Sequence, residues 1–362
     1  MESSKKPYVT AHSEHSNRKQ ITIYIVIATV LLICGGYLIS LDLRKDNNSA
    51  TSSKILMGTL VQIAVGTEKL SEAEAREVAE KAFLEIERLE NILSSYKKES
   101  DVSRINSGVK EVLVSKETME VLKVALRIAE LSGGAFDPSA GPLIKLWNIN
   151  SDEEKTPPTE SEIKEGKKNI GYKKITVNEE KGTVSMEKGM RLNLGGVAKG
   201  YIVKRALEVL KANDVDWAII KAGGDMTLYK DPTHAEPFTV GVQDPRSKRG
   251  ITGTILIDGG AVASSGDYER FFELEGKRYH HIIDPATGYP ALGTMGVTII
   301  SSDPTLADAV STAVFVLGAK EGLKLIESLD KVEGLVIDDE KKVHLSSGLK
   351  EKYTPYGVEK KK

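Results

Sequence analysis

An α+β architecture is what this sequence predicts, and three observations lead there. Helical and strand periodicities both occur, yet they do not alternate as regular βαβ units. No repeat of fixed period runs through the 362 residues. The chain has 32 glycines but only 6% aromatic residues, which suits helices and strands joined by tight turns better than a base-stacking platform.

Bulk properties narrow the function classes. Net charge is −2 with both signs interspersed, so there is no basic footprint for nucleic acid. A single cysteine, Cys34, rules out an internal disulfide framework.

The N-terminal fifty residues read as targeting apparatus. Residues 1–20 are a polar lead with Lys5, Lys6, Arg18 and Lys19, read as a cytoplasmic tail. Residues 21–41 (ITIYIVIATVLLICGGYLISL) carry no charge and are long enough to span a bilayer as a helix. The flanking charges point to a cytoplasmic N-terminus and an extracytoplasmic body. A buried core helix is the alternative, and the charge-free length argues against it. A cleaved signal peptide is opposed by the long polar lead and the lack of an Ala-x-Ala site. The expectation is therefore an uncleaved signal anchor in the cell membrane. Lipid attachment at Cys34 stays open, although Leu31-Leu32-Ile33 only loosely fits a lipoprotein box. Residues 42–54 read as a polar, solvated linker, 55–356 as the globular body, and 357–362 as a charged tail.

Within the body, residues 55–65 alternate enough to be a strand. Ser71-Glu72-Ala73-Glu74 opens a helix with a capping start, and Ala79, Phe83, Ile86 and Leu89 continue its apolar stripe. A second helix covers 116–132 and stops at Gly133-Gly134. Pro157-Pro158 and the charged run after it mark a surface excursion. Residues 200–212 read as a helix and 217–222 as a strand. Short strands follow at 238–242, 252–257, 261–263, 280–283 and 296–301, then helices at 305–317 and 320–329.

Several motifs have chemical potential. Asn193-Leu194-Gly195-Gly196-Val197-Ala198-Lys199-Gly200 is a glycine-rich loop entering a helix, able to cradle an anion with backbone amides and the Lys199 charge. It matches neither the Walker nor the Rossmann pattern, and glycines at such turns are more often structural. Ala222-Gly223-Gly224-Asp225 is a turn whose carboxylate could meet a ribose hydroxyl or simply cap the turn. Asp308 and Thr312 lie four apart on one helix face with Ser311 beside them, a set of hard oxygens suited to Mg²⁺. The same aspartate would also sit well in a helix dipole. Histidine is scarce, six in all, yet His280-His281-Ile282-Ile283-Asp284-Pro285-Ala286-Thr287-Gly288-Tyr289-Pro290 holds two. On a strand the pair would face opposite sides, so only one could serve a given pocket as a base. A buried hydrogen-bonded role would suit the pair equally.

Taken together, these motifs resemble the ApbE family of FAD:protein FMN transferases. The correspondence runs from Met57-Gly58-Thr59 to Asp308-Ala309-Val310-Ser311-Thr312. It includes Ser94-Ser95-Tyr96, Gly134-Ala135-Phe136-Asp137-Pro138, the 194–200 loop, Ser265-Gly266-Asp267-Tyr268-Glu269-Arg270 and the His280 run. The resemblance implies one compact ApbE-like (T-fold-like) catalytic domain with mixed sheets and flanking helices. It implies an enzyme that cleaves FAD at the pyrophosphate, joins FMN to a Thr or Ser of an acceptor flavoprotein, and releases AMP. By the same resemblance Mg²⁺ would be held by Asp308, Thr312 and the Gly196 carbonyl, with Ser311 nearby. Met57, Tyr96, Ala135, Phe136, Asp137, Asn193, Lys199 and Ile282 would contact FAD. His281 and Asp308 would activate the acceptor hydroxyl, and His280 would be structural.

One position departs from the family pattern: Asn193 stands where Asp is usual. An amide can hydrogen-bond but cannot accept a proton or balance a metal charge as a carboxylate does. No Ser/Thr-Gly-Ala-Ser/Thr run occurs, so self-modification at such a motif is not suggested. Two alternative functions fit the same residues: an FAD pyrophosphatase releasing FMN and AMP to water, and a non-catalytic flavin-binding protein at the membrane surface.

Overall fold

The computed structural model describes residues 49–149, 155–232 and 237–357. The N-terminal tail, the apolar run 21–41 with Cys34, and nearly all of the charged tail lie outside the described residues. Among the described residues no helix is long and apolar enough to cross a membrane.

The centre of the molecule is an eight-stranded sheet. Its strands are β1 (Ser49–Leu56), β2 (Thr59–Gly66), β6 (Trp217–Ala222), β7 (Asp225–Lys230), β10 (Gly260–Gly266), β13 (Thr294–Ser301), β14 (Val332–Asp338) and β15 (Val343–Leu345), in that order across the sheet. Every neighbouring pair is antiparallel. That pattern explains why the chain shows no βαβ alternation.

Helices cover one face: α1 (Glu72–Leu93), α3 (Lys116–Leu131), α6 (Ala198–Lys211) and α7 (Pro304–Glu327). A three-stranded sheet, with β8 (Phe238–Gln243), β9 (Ile251–Ile257) and β16 (Tyr353–Pro355) in the order β16-β9-β8, covers the other, and β3 (Val112–Leu113), β4 (Ile175–Asn178) and β5 (Thr183–Met186) form a separate small sheet in the order β3-β5-β4. Consecutive residues of β6 divide between the two cores. Ala218 and Ile220 join the helical core, while Ile219 joins Val240, Ile255 and Phe238. A sheet buried on both faces has near-continuous apolar strands, and 217–222 and 294–301 read that way.

Most sequence-predicted elements fall where expected. Helix α1 has a full capping box between Ser71 and Glu74. The two helices expected at 305–317 and 320–329 are both present within Pro304–Glu327, separated where Gly318 leaves helical geometry with φ 73° and ψ −179°; the whole span is α7.

Four local readings need correction. Residues 49–54, read as linker, form most of β1 and pair along β2. The single strand expected at 55–65 is a hairpin, reversing at Met57 (φ 54°) and Gly58 (φ 68°). Small polar residues at a sheet edge resemble a linker because only tertiary pairing distinguishes them. The charged run after Pro157-Pro158 forms α5 (Glu160–Lys168), started by a Thr159–Glu162 capping box and burying only Ile163. The strand expected at 280–283 ends at His280, as part of β12 (Lys277–His280) paired with β11 (Phe271–Leu274).

Candidate active site

Two hairpin turns lie at one end of the central sheet, the Met57-Gly58 turn and the Gly223-Gly224 turn. They are adjacent because β2 pairs with β6, and Gly223 N donates to Leu60 O at 3.3 Å. Antiparallel pairing brings the end of β10 to the same place: Ser264 N donates to Asp225 Oδ1 at 3.0 Å. Above these strand ends helices α6 and α7 cross closely. A Cβ on Gly200 would lie 2.1 Å from Pro304 O, so only glycine permits this approach.

The crossing creates a buried ionic cluster. Gly200 N donates to Asp308 Oδ2 at 2.9 Å, and Lys199 Nζ lies 3.9 Å from Asp308 Oδ1. Lys199 also forms a close ion pair with Asp225. Burial alone would drive Lys199 towards neutrality, but the Asp225 and Asp308 charges outweigh it and hold the ammonium protonated. Burial pushes Asp308 up to about 6, an effect that Lys199 opposes and Asp225 reinforces. Two carboxylates therefore flank one ammonium in a poorly solvated setting. Glu269, whose carboxyl faces Gly224, is raised by desolvation and then by the Asp225 charge.

Asp308 and Thr312 share a face of α7, as their spacing predicts. A Cβ on Gly196 would sit 2.9 Å from Thr312 Oγ1 and 3.2 Å from Phe136 Cε2. Phe136, Gly196 and Thr312 are thus neighbours, and the glycine leaves open the space that a side chain would fill. Ser311 sits one step behind: its hydroxyl donates to Asp308 O at 2.8 Å and shares a 2.9 Å hydrogen bond with Ser265 Oγ. Thr312 is left as the hydroxyl nearest the loop.

The segment at 135–138 is locked to that loop, since Asn193 N donates to Pro138 O at 2.8 Å. Asn193 Oδ1 accepts Gly195 N at 2.8 Å, so the amide supplies the turn-building acceptor that a carboxylate would. The Asp137 carboxyl is raised by burial despite hydrogen bonds from Ser139 and from Tyr172 N. Met57 N is held by Glu90 Oε2 at 3.0 Å. Tyr96 stands apart at 83% exposure, with its amide bonded to Ser94 Oγ.

The two histidines differ sharply in setting. Buried His280 bonds Ala291 O through Nε2 at 2.8 Å and stands edge-on to Phe315 at 5.3 Å. The ring of half-buried His281 has one long contact, Nδ1 to Arg270 O at 3.3 Å, while its backbone N–H donates to the same oxygen at 3.1 Å. Burial, then the Arg270 charge, pushes His281 down to about 3, and Lys199 adds to the effect. Its imidazole is neutral at physiological pH. Ile282 is buried in the main core, its N–H bonded to His280 Nδ1 at 3.3 Å.

Lys199, Asp308, Thr312 and Gly196, which the resemblance groups, lie close together in the fold. Asp225 is the close partner of Lys199 rather than only a turn cap, and Glu269, Arg270 and Ser265 join the site without a role that the sequence alone suggests. The sole signal for Asp225 was its Gly-Gly turn. No group of three or more His, Cys, Asp or Glu residues able to hold a metal occurs among the described residues. The oxygen set on α7 and the loop contains a single carboxylate, Asp308.

The fold has counterparts among known proteins. A 36% identical ApbE protein from Thermotoga maritima superposes with a TM-score of 0.77 over 84% of this chain and 98% of that one. The flavin transferase ApbE from Vibrio cholerae gives a TM-score of 0.73 at 25% identity, over 84% and 99% of the two chains. An FAD:protein FMN transferase of Treponema pallidum is 31% identical across 91% of this chain and 94% of that protein. Residues 57–336, which carry both hairpin turns, the 193–200 loop, the histidine pair and α7, match the ApbE family model, and the chain belongs to the ApbE family.

Proposed function

We propose that this protein is an FAD:protein FMN transferase, carrying FMN from FAD to a Thr or Ser hydroxyl of an acceptor flavoprotein with release of AMP. The observation that carries the reading is the Lys199–Asp225–Asp308 cluster beside an open glycine loop, with a neutral histidine within the field of Lys199. Relatives named for this activity align over nearly the whole chain.

The donor set fits Mg²⁺. Asp308 offers a carboxylate and Thr312 a hydroxyl from one helix face, and Gly196 offers a backbone carbonyl across a gap that a Cβ would fill. All three are hard oxygens. Two carboxylates against one ammonium also leave net negative charge for a cation to balance. When bound, the ion would neutralise charge on the pyrophosphate as the transferred phosphorus changes partners.

The remaining chemistry belongs to the side chains. Lys199 stays cationic and adds charge stabilisation beside the leaving phosphate. His281 takes the proton of the acceptor hydroxyl. The freed oxygen bonds to the FMN phosphorus while the bond to the AMP phosphate oxygen breaks, and AMP departs with that oxygen. The depressed His281 pKa keeps the ring in its base form, and the anionic substrate offsets the Arg270 and Lys199 charges that disfavour imidazolium. Met57, Tyr96, Ala135, Phe136, Asp137, Asn193 and Ile282 would contact FAD, as the resemblance implies. Residues 21–41 would anchor this body to the extracytoplasmic face, with lipid at Cys34 as the alternative anchor.

The test is to combine the purified body with FAD, MgCl₂ and a Thr-bearing acceptor domain, then follow AMP release and an FMN mass gain on the acceptor. Both should occur together. Intact FAD bound without turnover would overturn the reading in favour of a flavin-binding protein. Equal AMP release without acceptor would mark a pyrophosphatase.

A further inference from the structure

A third apolar cluster among the described residues is separate from the two cores that flank the central sheet and has no place in the proposed chemistry. It comprises Leu143, Trp147, Ile149, Ile163 and Ile283. Trp147 ends α4 (Gly141–Trp147) and is 2% exposed. Its indole stacks on Tyr279 at 5.6 Å and meets Tyr289 edge-on at 5.8 Å, while Phe272 stacks on Tyr279 at 5.1 Å. Its Nε1 donates a buried 2.7 Å hydrogen bond to Gly288 O.

These contacts grip the loop that carries His281 on both sides. Tyr279 lies two residues before the histidine, and Gly288 and Tyr289 lie in the returning arm. The loop is closed on itself by Asp284 N to Tyr289 O at 2.9 Å, Gly288 N to Asp284 O at 2.8 Å and Ala291 N to Ile282 O at 3.0 Å. Gly288 has φ 83°, and a Cβ there would lie 2.5 Å from Ile163 Cγ2, so the loop sits directly on α5. The His281 ring itself is weakly tethered, through one 3.3 Å contact. The placement of its backbone therefore decides where the imidazole stands.

The other end of α4 reaches the residues that lead into the 193–200 loop. Ala140 forms a bridge with Arg191, and a Cβ on Gly141 would lie 2.5 Å from Arg191 O. The helix begins three residues after Pro138, which bonds Asn193 N.

We infer that Trp147 is a positioning residue for His281, and that helix α4 fixes the base loop relative to the segment at 135–138. The inference rests on the assignment of His281 as the base in the proposed transfer. A misplaced base loses rate without loss of substrate affinity, and general-base catalysis is large enough for partial misplacement to show.

The experiment uses the Trp147→Phe variant, which keeps an aromatic ring and deletes the hydrogen bond to Gly288. The expected result is an FAD Kd within twofold of the parent, a kcat lower by about tenfold, and a His281 titration midpoint moved up towards the ordinary imidazole range. That midpoint is read by NMR against a His281→Gln reference. An unchanged kcat and midpoint would overturn the inference, as would a loss confined to FAD binding with the midpoint unmoved. Should Trp147→Phe not fold, Ile163→Ala undermines the same seat from α5 with the indole intact. It should lower kcat and shift the midpoint in the same directions; a parental profile in that variant would overturn the inference. The titration needs no substrate, so it separates this inference from any failure of the transferase reading.

Discussion

Asp308 concentrates the conflict between stability and function. Its pKa, raised to about 6 from 3.8 chiefly by burial, means that ionising it in the folded state is unfavourable. The sign follows from linkage: the cost is absent below about pH 4, where the group is protonated folded or unfolded, and complete above about pH 6. Asp308→Asn removes that cost and can still accept Gly200 N. The variant should melt no lower than the parent at pH 7.5 in metal-free buffer, while transfer falls by at least about 100-fold. Calorimetry and the AMP assay check both halves, and a large drop in Tm would refute the electrostatic account. Protons and Mg²⁺ would also compete for this carboxylate. Titration calorimetry of the parent should therefore show Mg²⁺ affinity falling as pH drops below about 6 and level above it.

At the scale of elements, the contact between α6 and α7 places Lys199 and Asp308 together. Gly200→Ala inserts a methyl group 2.1 Å from Pro304 O and 2.8 Å from Asp308 Cβ, so the helices must separate. Overpacking of this kind costs about 1–3 kcal/mol. It should also stretch the Gly200–Asp308 hydrogen bond, so activity should fall more steeply than stability. Urea unfolding and the transfer assay on one sample would show this. Asp101 makes the same kind of point at α2 (Asp101–Ile105). Burial would raise its pKa, but hydrogen bonds from Ser115 N and Thr118 Oγ1 and the Arg104 pair more than compensate and hold it below 3.8. The resulting stability is present above about pH 4 and is lost as pH falls through the lowered value. Asp101→Asn should destabilise by about 2 kcal/mol at pH 7, and the difference from the parent should shrink below pH 4 in denaturant titrations.

Across the whole molecule, the eight-stranded sheet with a layer on each face explains both the rigidity of the site and the pattern of the sequence. Phe315 is fully buried between α7 and the sheet and supports His280. Phe315→Ala should cost about 3–5 kcal/mol, measurable as a lower urea midpoint, and a loss under 1 kcal/mol would mean this core is looser than its packing indicates. Helix limits were legible because capping boxes and glycine stops are local signals, as at Ser71-Glu74 and Gly133-Gly134. Strand β1 and helix α5 are not legible in the sequence, because polar residues at an edge or on a surface helix have no distinctive period, and the Thr159–Glu162 capping box of α5 precedes no apolar stripe.

The sequence by itself determined the α+β class, the starts of α1, α3, α6 and α7, the Asp308–Thr312 face and the glycine loop, because each depends on residues within a turn or two of one another. Only the tertiary structure decided that Lys199 is clamped between Asp225 and Asp308. It alone showed that Ser311 turns back to Ser265, and that the His281 loop rests on Trp147 far away in the chain. Those outcomes depend on which strand ends and helices meet in space, and on the low dielectric that their meeting creates.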